Sequence, residues 1–237
     1  MRRIAIIPAR SGSSRIKDKN IVEFCGKPML SYSLSAASKS ELFDTIHVST
    51  DSPRYAAIAK AAGHPVDFLR PSKMATNNVS IPAVLRWVIK QYETNGSIFD
   101  EICLIVATAP LLEAKDLIKG QLLLDESHGQ FPVLSVASFP APLERAMIIG
   151  SDNILRFTQP SLRFKHSQEC PTQYFDAGAF AFFTRDQILE SDEPVYPEYI
   201  PCVLERAKTA DINDPEDLAM AEILYLGRQA RGKKDLF

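Results

Sequence analysis

Several signals are missing from these 237 residues, and each absence removes a class of function. There are four cysteines, Cys25, Cys103, Cys170 and Cys202, with no C-x-x-C and no zinc-type spacing. No disulfide framework or zinc knuckle follows; reduced, buried thiols in a cytoplasmic protein are expected. No run approaches the roughly 18–20 apolar residues needed to span a bilayer. The apolar stretch at residues 4–7 is closed by Pro8, too early for a signal peptide. Neither sign of charge dominates: 27 basic against 29 acidic residues leave a formal charge of −2. Neither a nucleic acid nor a membrane surface is therefore an expected partner. Internal repeats, low-complexity tracts, the P-loop pattern and the G-x-G-x-x-G fingerprint are all absent. Nothing supports a Ser–His–Asp triad.

What is present is an alternation of strand-like and helix-like segments, in a chain long enough for one sizeable domain over residues 1–237. Short apolar runs predict strands at residues 3–8, 45–50, 66–69, 102–106, 132–139 and 178–183. Periodic segments predict helices at 28–38, 54–62, 81–94 and 117–126, and from Pro215 onward. The class implied is α/β, a mostly parallel sheet flanked by helices in a Rossmann-like arrangement. The rhythm breaks at about residues 139–171, where 146–157 reads as a hairpin and 159–172 as irregular. Ligands of such sheets bind beyond the carboxyl ends of the strands. That rule selects residues 10–20, Asp51, residues 107–110 and the loop before Pro215. Asp51, two residues before Pro53, is expected to cap the following helix.

The first of these loops is Arg10-Ser11-Gly12-Ser13-Ser14-Arg15-Ile16-Lys17-Asp18-Lys19-Asn20. It offers four cations, three hydroxyls and a glycine within eleven residues. Small residues let backbone N–H groups approach phosphate oxygens, and the cations supply charge. On composition alone it is either a polyphosphate cradle or a solvated basic loop.

The wider pattern resembles a known family. Ile6-Ile7-Pro8-Ala9-Arg10-Ser11-Gly12-Ser13, with Lys19-Asn20 and then Gly26-Lys27-Pro28-Met29, resembles the N-terminal signature of the CMP-sugar synthetases. These cytidylyltransferases activate sialic, legionaminic, pseudaminic and octulosonic acids, and the resemblance extends over nearly the whole chain. It implies that Arg10, Gly12, Ser13 and Lys19 hold the phosphates of CTP, with Ala9, Ser11, Arg15 and Asn20 also at the nucleotide. Family members often carry Lys where this chain has Ser14. Phe68-Leu69-Arg70-Pro71 resembles the family's Arg-Pro segment, which places Arg70, Val79 and Ser80 at cytosine.

Ala107-Thr108-Ala109-Pro110 looks like the subgroup that acts on pseudaminic acid, as do Ser167-Gln168 and Asp176-Ala177-Gly178. Thr108, Ala109, His166, Ser167, Gln168, Asp176 and Ala177 would then meet the sugar. His166 replaces the subgroup's Arg, with Arg163 and Lys165 nearby. Asp211-Ile212-Asn213-Asp214-Pro215-Glu216-Asp217 resembles the family's acidic segment. It implies magnesium on the triphosphate, held by Asp211 with Asn213 and Asp214, although Asp214 is equally a candidate cap for the last helix. The implied reaction is attack of the sugar's anomeric hydroxyl on the α-phosphate, releasing pyrophosphate, with Arg10, Lys19 and Asp211 as its main supports.

The rival acceptors are legionaminic, N-acetylneuraminic and octulosonic acids. The rival class is a CTP- or CMP-sugar-binding protein without catalysis, since Ser14, His166 and Asn213 all depart from the family pattern. The family is usually homodimeric through a hairpin-bearing insertion, a role that residues 139–171 would fill; a lid over the sugar is the other reading.

Overall fold

The computed structural model describes residues 1–13, 15–164, 166–190 and 198–232. Strand β1 (Arg3–Pro8) leads through a small hairpin, β2 (Glu23–Phe24) and β3 (Lys27–Pro28), into helix α1 (Leu30–Ser40). Then come β4 (Thr45–Ser49), α2 (Pro53–Ala61), α3 (Ile81–Thr94), β5 (Glu101–Ile105), α4 (Ala114–Glu126) and β6 (Val133–Ser138). A second hairpin, β7 (Met147–Ile149) and β8 (Leu155–Phe157), precedes β9 (Tyr174–Thr184), α5 (Arg185–Leu189), β10 (Ile200–Val203) and α6 (Pro215–Gly232).

The central sheet has the order β10-β6-β9-β5-β1-β4. Every pairing is parallel except the two made by β9. The mostly parallel sheet expected from the apolar runs is therefore present. Its two faces can be read along β1, because side chains of a strand alternate. Ala5 and Ile7 enter one core with Leu30 and Leu34 of α1, Tyr55 of α2 and Leu117 of α4. Ile4 and Ile6 enter the other, with Val84, Leu85 and Val88 of α3. Both faces are covered, which is why the strand reads as a continuous apolar run.

Because β1, β4 and β5 run together, their carboxyl ends open on one side. The reversed strand β9 brings its beginning to that same side. There β9 and β6 slip register between Leu134 and Val136. The slip is accommodated at Gly178, whose φ is +60°, a value that strains residues carrying a Cβ. The Asp176 carboxylate accepts from the Gly178 N–H at 2.8 Å.

Several expected elements differ. Residues 66–69 form no strand: Arg70 N–H donates to Thr50 O at 2.8 Å, but no ladder develops alongside β4. The segment is anchored by side chains instead. Phe68 packs on His47 and Trp87, and Tyr92 Oη donates to Asp67 at 2.5 Å. Pro28 does not open α1, because Lys27 and Pro28 pair with Phe24 and Glu23 across a Cys25-Gly26 turn in which both residues have positive φ. Helix α4 starts a turn early because Glu113 and Asp116 form a reciprocal capping box. Strand β9 extends well beyond 178–183 at its start, and β10 was not expected, its short apolar run being interrupted by Pro201.

Candidate active site

The loop after β1 is built by reciprocal ties. Ala9 is buried and its N–H donates to Ser49 O at 2.9 Å, prolonging the pairing of β1 with β4. Ser11 donates twice to Asp51, from its N–H at 3.0 Å and from Oγ at 2.7 Å. Asn20 Nδ2 donates to Arg10 O at 3.0 Å, closing the loop on itself. Lys19 Nζ donates to Ile212 O at 2.5 Å, tying the loop to the acidic segment before α6. Burial lowers the Lys19 ammonium from its ordinary pKa, while Asp211 acts the other way.

Asp51 is not the cap of α2. Ser52 takes that place, its Oγ accepting from Tyr55 N–H. Burial pushes the Asp51 carboxyl up, but the two bonds from Ser11 outweigh it and hold the group below its usual range.

A cleft of about 260 Å³ opens beside this loop. Arg10, Ser13, Arg15, Lys19 and Asn20 line one side of it. Arg70, Val79, Thr108 and Asn213 also line it, so nine of the candidate site residues singled out from the sequence share one cavity. Arg70 is its most informative member. It is 4% exposed, and its Nε and Nη2 find no hydrogen-bond partner among the described residues. Buried polar groups are rarely left so, and a buried cation costs more still. Burial lowers the Arg70 pKa, offset by the nearby Asp51.

The other expected residues are placed as follows. Gly12 is exposed at the turn of the loop, where a Cβ would meet no backbone, only the Arg10 guanidinium at 3.8 Å. Ser80 caps α3, accepting from Ala83 N–H. Ala109 and Ala177 are buried and do not line the cleft. Asp176 is exposed at the β9 slip. His166 and Gln168 are exposed on the loop after the β7–β8 hairpin and do not line the cleft. Ser167 shares that loop. Ser14 and Lys165 lie outside the described residues. Met74 and Thr76, which the sequence did not single out, also line the cleft. Their only signal was position, between Arg70 and Val79.

The segment before α6 resolves the double reading of Asp214. Its Oδ1 accepts from Glu216 and Asp217 N–H at 2.9 and 3.0 Å, which makes it the helix cap. Asp217 reciprocates by accepting from Asn213 and Asp214 N–H. Asp211 stays exposed, with Oδ2 accepting from Asn213 Nδ2 at 2.7 Å. That bond orients the amide, and a hard divalent cation that keeps most of its waters needs few protein oxygens. Asp211 with the Asn213 amide oxygen fits such an ion. Among the described residues no cluster of three or more Asp, Glu, His or Cys side chains is arranged to hold a metal by itself.

Comparison with known proteins agrees with this geometry. The family model described as cytidylyltransferase matches residues 4–129, more than half of the chain. The pseudaminic acid cytidylyltransferase of Campylobacter jejuni is 33% identical over 95% of this chain and 97% of its own length. An N-acylneuraminate cytidylyltransferase of Escherichia coli is 28% identical over 99% of this chain and 54% of its own length. Among solved structures, a CMP:2-keto-3-deoxy-manno-octonic acid synthetase complexed with CTP superposes with a TM-score of 0.70, covering 96% of this chain and all of that one at 15% identity, a likeness of fold. With the family model matched over more than half of its length and a relative 33% identical along nearly all of it, the chain belongs to the cytidylyltransferase family.

Proposed function

We propose that this cytidylyltransferase activates a nine-carbon nonulosonic acid, pseudaminic acid in particular, by joining it to CMP from CTP. The observation that carries the reading is Arg70, buried with two guanidinium nitrogens that have no hydrogen-bond partner among the described residues, in the same cleft as Arg10, Arg15 and Lys19. The Arg70 guanidinium offers directed donors to a nucleobase, and Arg10, Arg15 and Lys19 offer positive charge to a polyphosphate. The acceptor is argued from Ala107-Thr108-Ala109-Pro110, from Asp176-Ala177-Gly178 and from the similarity to the Campylobacter relative.

In the proposed reaction the anomeric hydroxyl oxygen forms a bond to the α-phosphorus. The bond from that phosphorus to the bridging oxygen breaks, and pyrophosphate leaves with the electron pair. The hydroxyl proton passes to solvent. Arg10, Arg15, Lys19 and the loop N–H groups hold the triphosphate and spread its charge. Arg70 and the 74–79 segment orient the base. Asp211 and the Asn213 amide oxygen would hold magnesium, which supplies further neutralisation on the triphosphate. Lys19, bonded to Ile212 O, keeps that segment in register with the loop.

A homodimer is part of the proposal. Met147, Ile148, Ile149, Ile154 and Leu155 of the β7–β8 hairpin are each at least half exposed, so both faces of the hairpin lack cover among the described residues. A second copy would bury them. Pyrophosphate release is the direct test, with CTP, magnesium and a panel of pseudaminic, legionaminic and N-acetylneuraminic acids. Turnover confined to pseudaminic acid supports the reading, and preference for another acid moves the acceptor. CTP binding without turnover of any acid would favour a non-catalytic binding protein.

A further inference from the structure

A carboxylate beside a triphosphate site is an electrostatic liability unless it does something else. Asp51 lies next to the loop at residues 10–20, and both its oxygens are taken by Ser11. At the far end of the same loop, Asp18 adopts a φ of 54° and accepts from Tyr55 Oη at 3.0 Å and Arg54 Nη1 at 2.9 Å. Arg54 is largely exposed, so its ion pair contributes little. The Tyr55 ring is 1% exposed and packed in the core, so its hydroxyl is a fixed point. The beginning of α2 and the residues just before it thus grip the loop at Ser11 and at Asp18, seven residues apart in sequence.

We propose that residues 51–55 are a clamp that holds the phosphate loop in its anion-binding shape before nucleotide arrives, with Asp51 and Tyr55 as positioning residues. The clamp rests on reading this loop as the triphosphate site. Preorganised donors bind more tightly because their ordering cost is met during folding. The benefit must exceed the repulsion between Asp51 and the phosphates, and that comparison makes the idea testable by sign.

Asp51→Ala removes the charge and both bonds. Asp51→Asn removes the charge but keeps an acceptor for Ser11 N–H and a donor for Ser11 Oγ. Calorimetric CTP affinity should fall about 10- to 100-fold in Asp51→Ala and stay within about threefold of the parent in Asp51→Asn. Tyr55→Phe should raise KM for CTP about 3- to 10-fold with kcat within twofold. Tighter or unchanged CTP binding in Asp51→Ala would overturn the clamp, because charge alone would then account for Asp51. Amide exchange of residues 10–20 in the nucleotide-free protein reads the clamp with no substrate present. Asp51→Ala and Tyr55→Phe should each speed it at least about tenfold, and unchanged exchange in folded variants refutes the clamp whatever the enzyme's substrate. Faster exchange in both variants, with no CTP binding by the parent, would instead refute the nucleotide reading.

Discussion

Replacing Arg70 by Met should act in opposite directions on ligand binding and on stability. The Arg70 guanidinium is nearly inaccessible, and two of its nitrogens have no partner among the described residues. Desolvating such a cation costs the free protein, and Met fills similar volume without that cost. Asp51 keeps its two bonds from Ser11 when Arg70 is gone, so no carboxylate is stranded. Stability should therefore hold or rise, by up to about 2 kcal/mol. Binding of CTP should weaken, because hydrogen bonds from a charged donor are worth about 1.5–3 kcal/mol each. Two such bonds to the base come to roughly 3–6 kcal/mol, or about 10²- to 10⁴-fold in affinity. Urea titration and calorimetry with CTP read the two quantities separately. If Arg70→Met lost more than about 2 kcal/mol of stability while binding CTP normally, Arg70 would be a structural cation and the argument from its missing partners would be wrong.

Three further outcomes are expected. Burial pushes the His47 imidazole down to about 4 from 6.5, so the unfolded chain binds the extra proton between those values. Stability should be complete above pH 6.5 and fall by up to roughly 3 kcal/mol as pH drops to 4; denaturation across that range should show a slope that His47→Gln reduces. Lys208 has a 2% exposed side chain, and its Nζ donates to both Asp116 oxygens at 2.7 and 2.8 Å and lies 2.6 Å from Glu113 Oε2. Burial raises the Glu113 pKa, but bonds from Lys208 and Arg228 outweigh it and bring it to about 2. Lys208→Ala would leave Asp116 buried and uncompensated and should cost about 3–5 kcal/mol by chemical denaturation. If the proposed homodimer forms through the exposed hairpin, Ile148→Asp should shift it to a folded monomer by light scattering; an unchanged dimer would place the interface elsewhere, and a monomeric parent would refute the dimer.

How much of this was legible in the sequence depended on whether a feature is local. The phosphate loop announces itself because its cations, hydroxyls and glycine are consecutive, and folding has only to turn them one way. Strands β1 and β5 were legible for a similar reason: both sheet faces are buried, so beyond the paired Arg3 and Glu101 at their starts every position is apolar. Strand β10, with the burial of an edge and Pro201 within it, carries no such pattern. Residues 66–69 alternate in exposure like a strand, yet what holds them is Tyr92 and His47, which the local pattern does not contain. The grouping of His166, Ser167 and Gln168 with the sugar came from resemblance, and the structure brings neither His166 nor Gln168 to the cleft.

Asp51 shows where local reading stops. Beside Ser52 and Pro53 it looks like a helix cap, and a neighbour one residue away takes that role. Its actual partner, Ser11, is 40 residues distant. The two meet because β1 and β4 pair with Pro8 opposite Ser49, and Ala9 N–H extends the ladder by one more bond to Ser49 O. Since side chains alternate along a strand, a slip of one residue in that register would turn the carboxylate to the other face and release Ser11. The shape of the phosphate loop is thus set as much by the register of β1 on β4 as by the loop's own residues, and that coupling becomes visible only when the strands are paired.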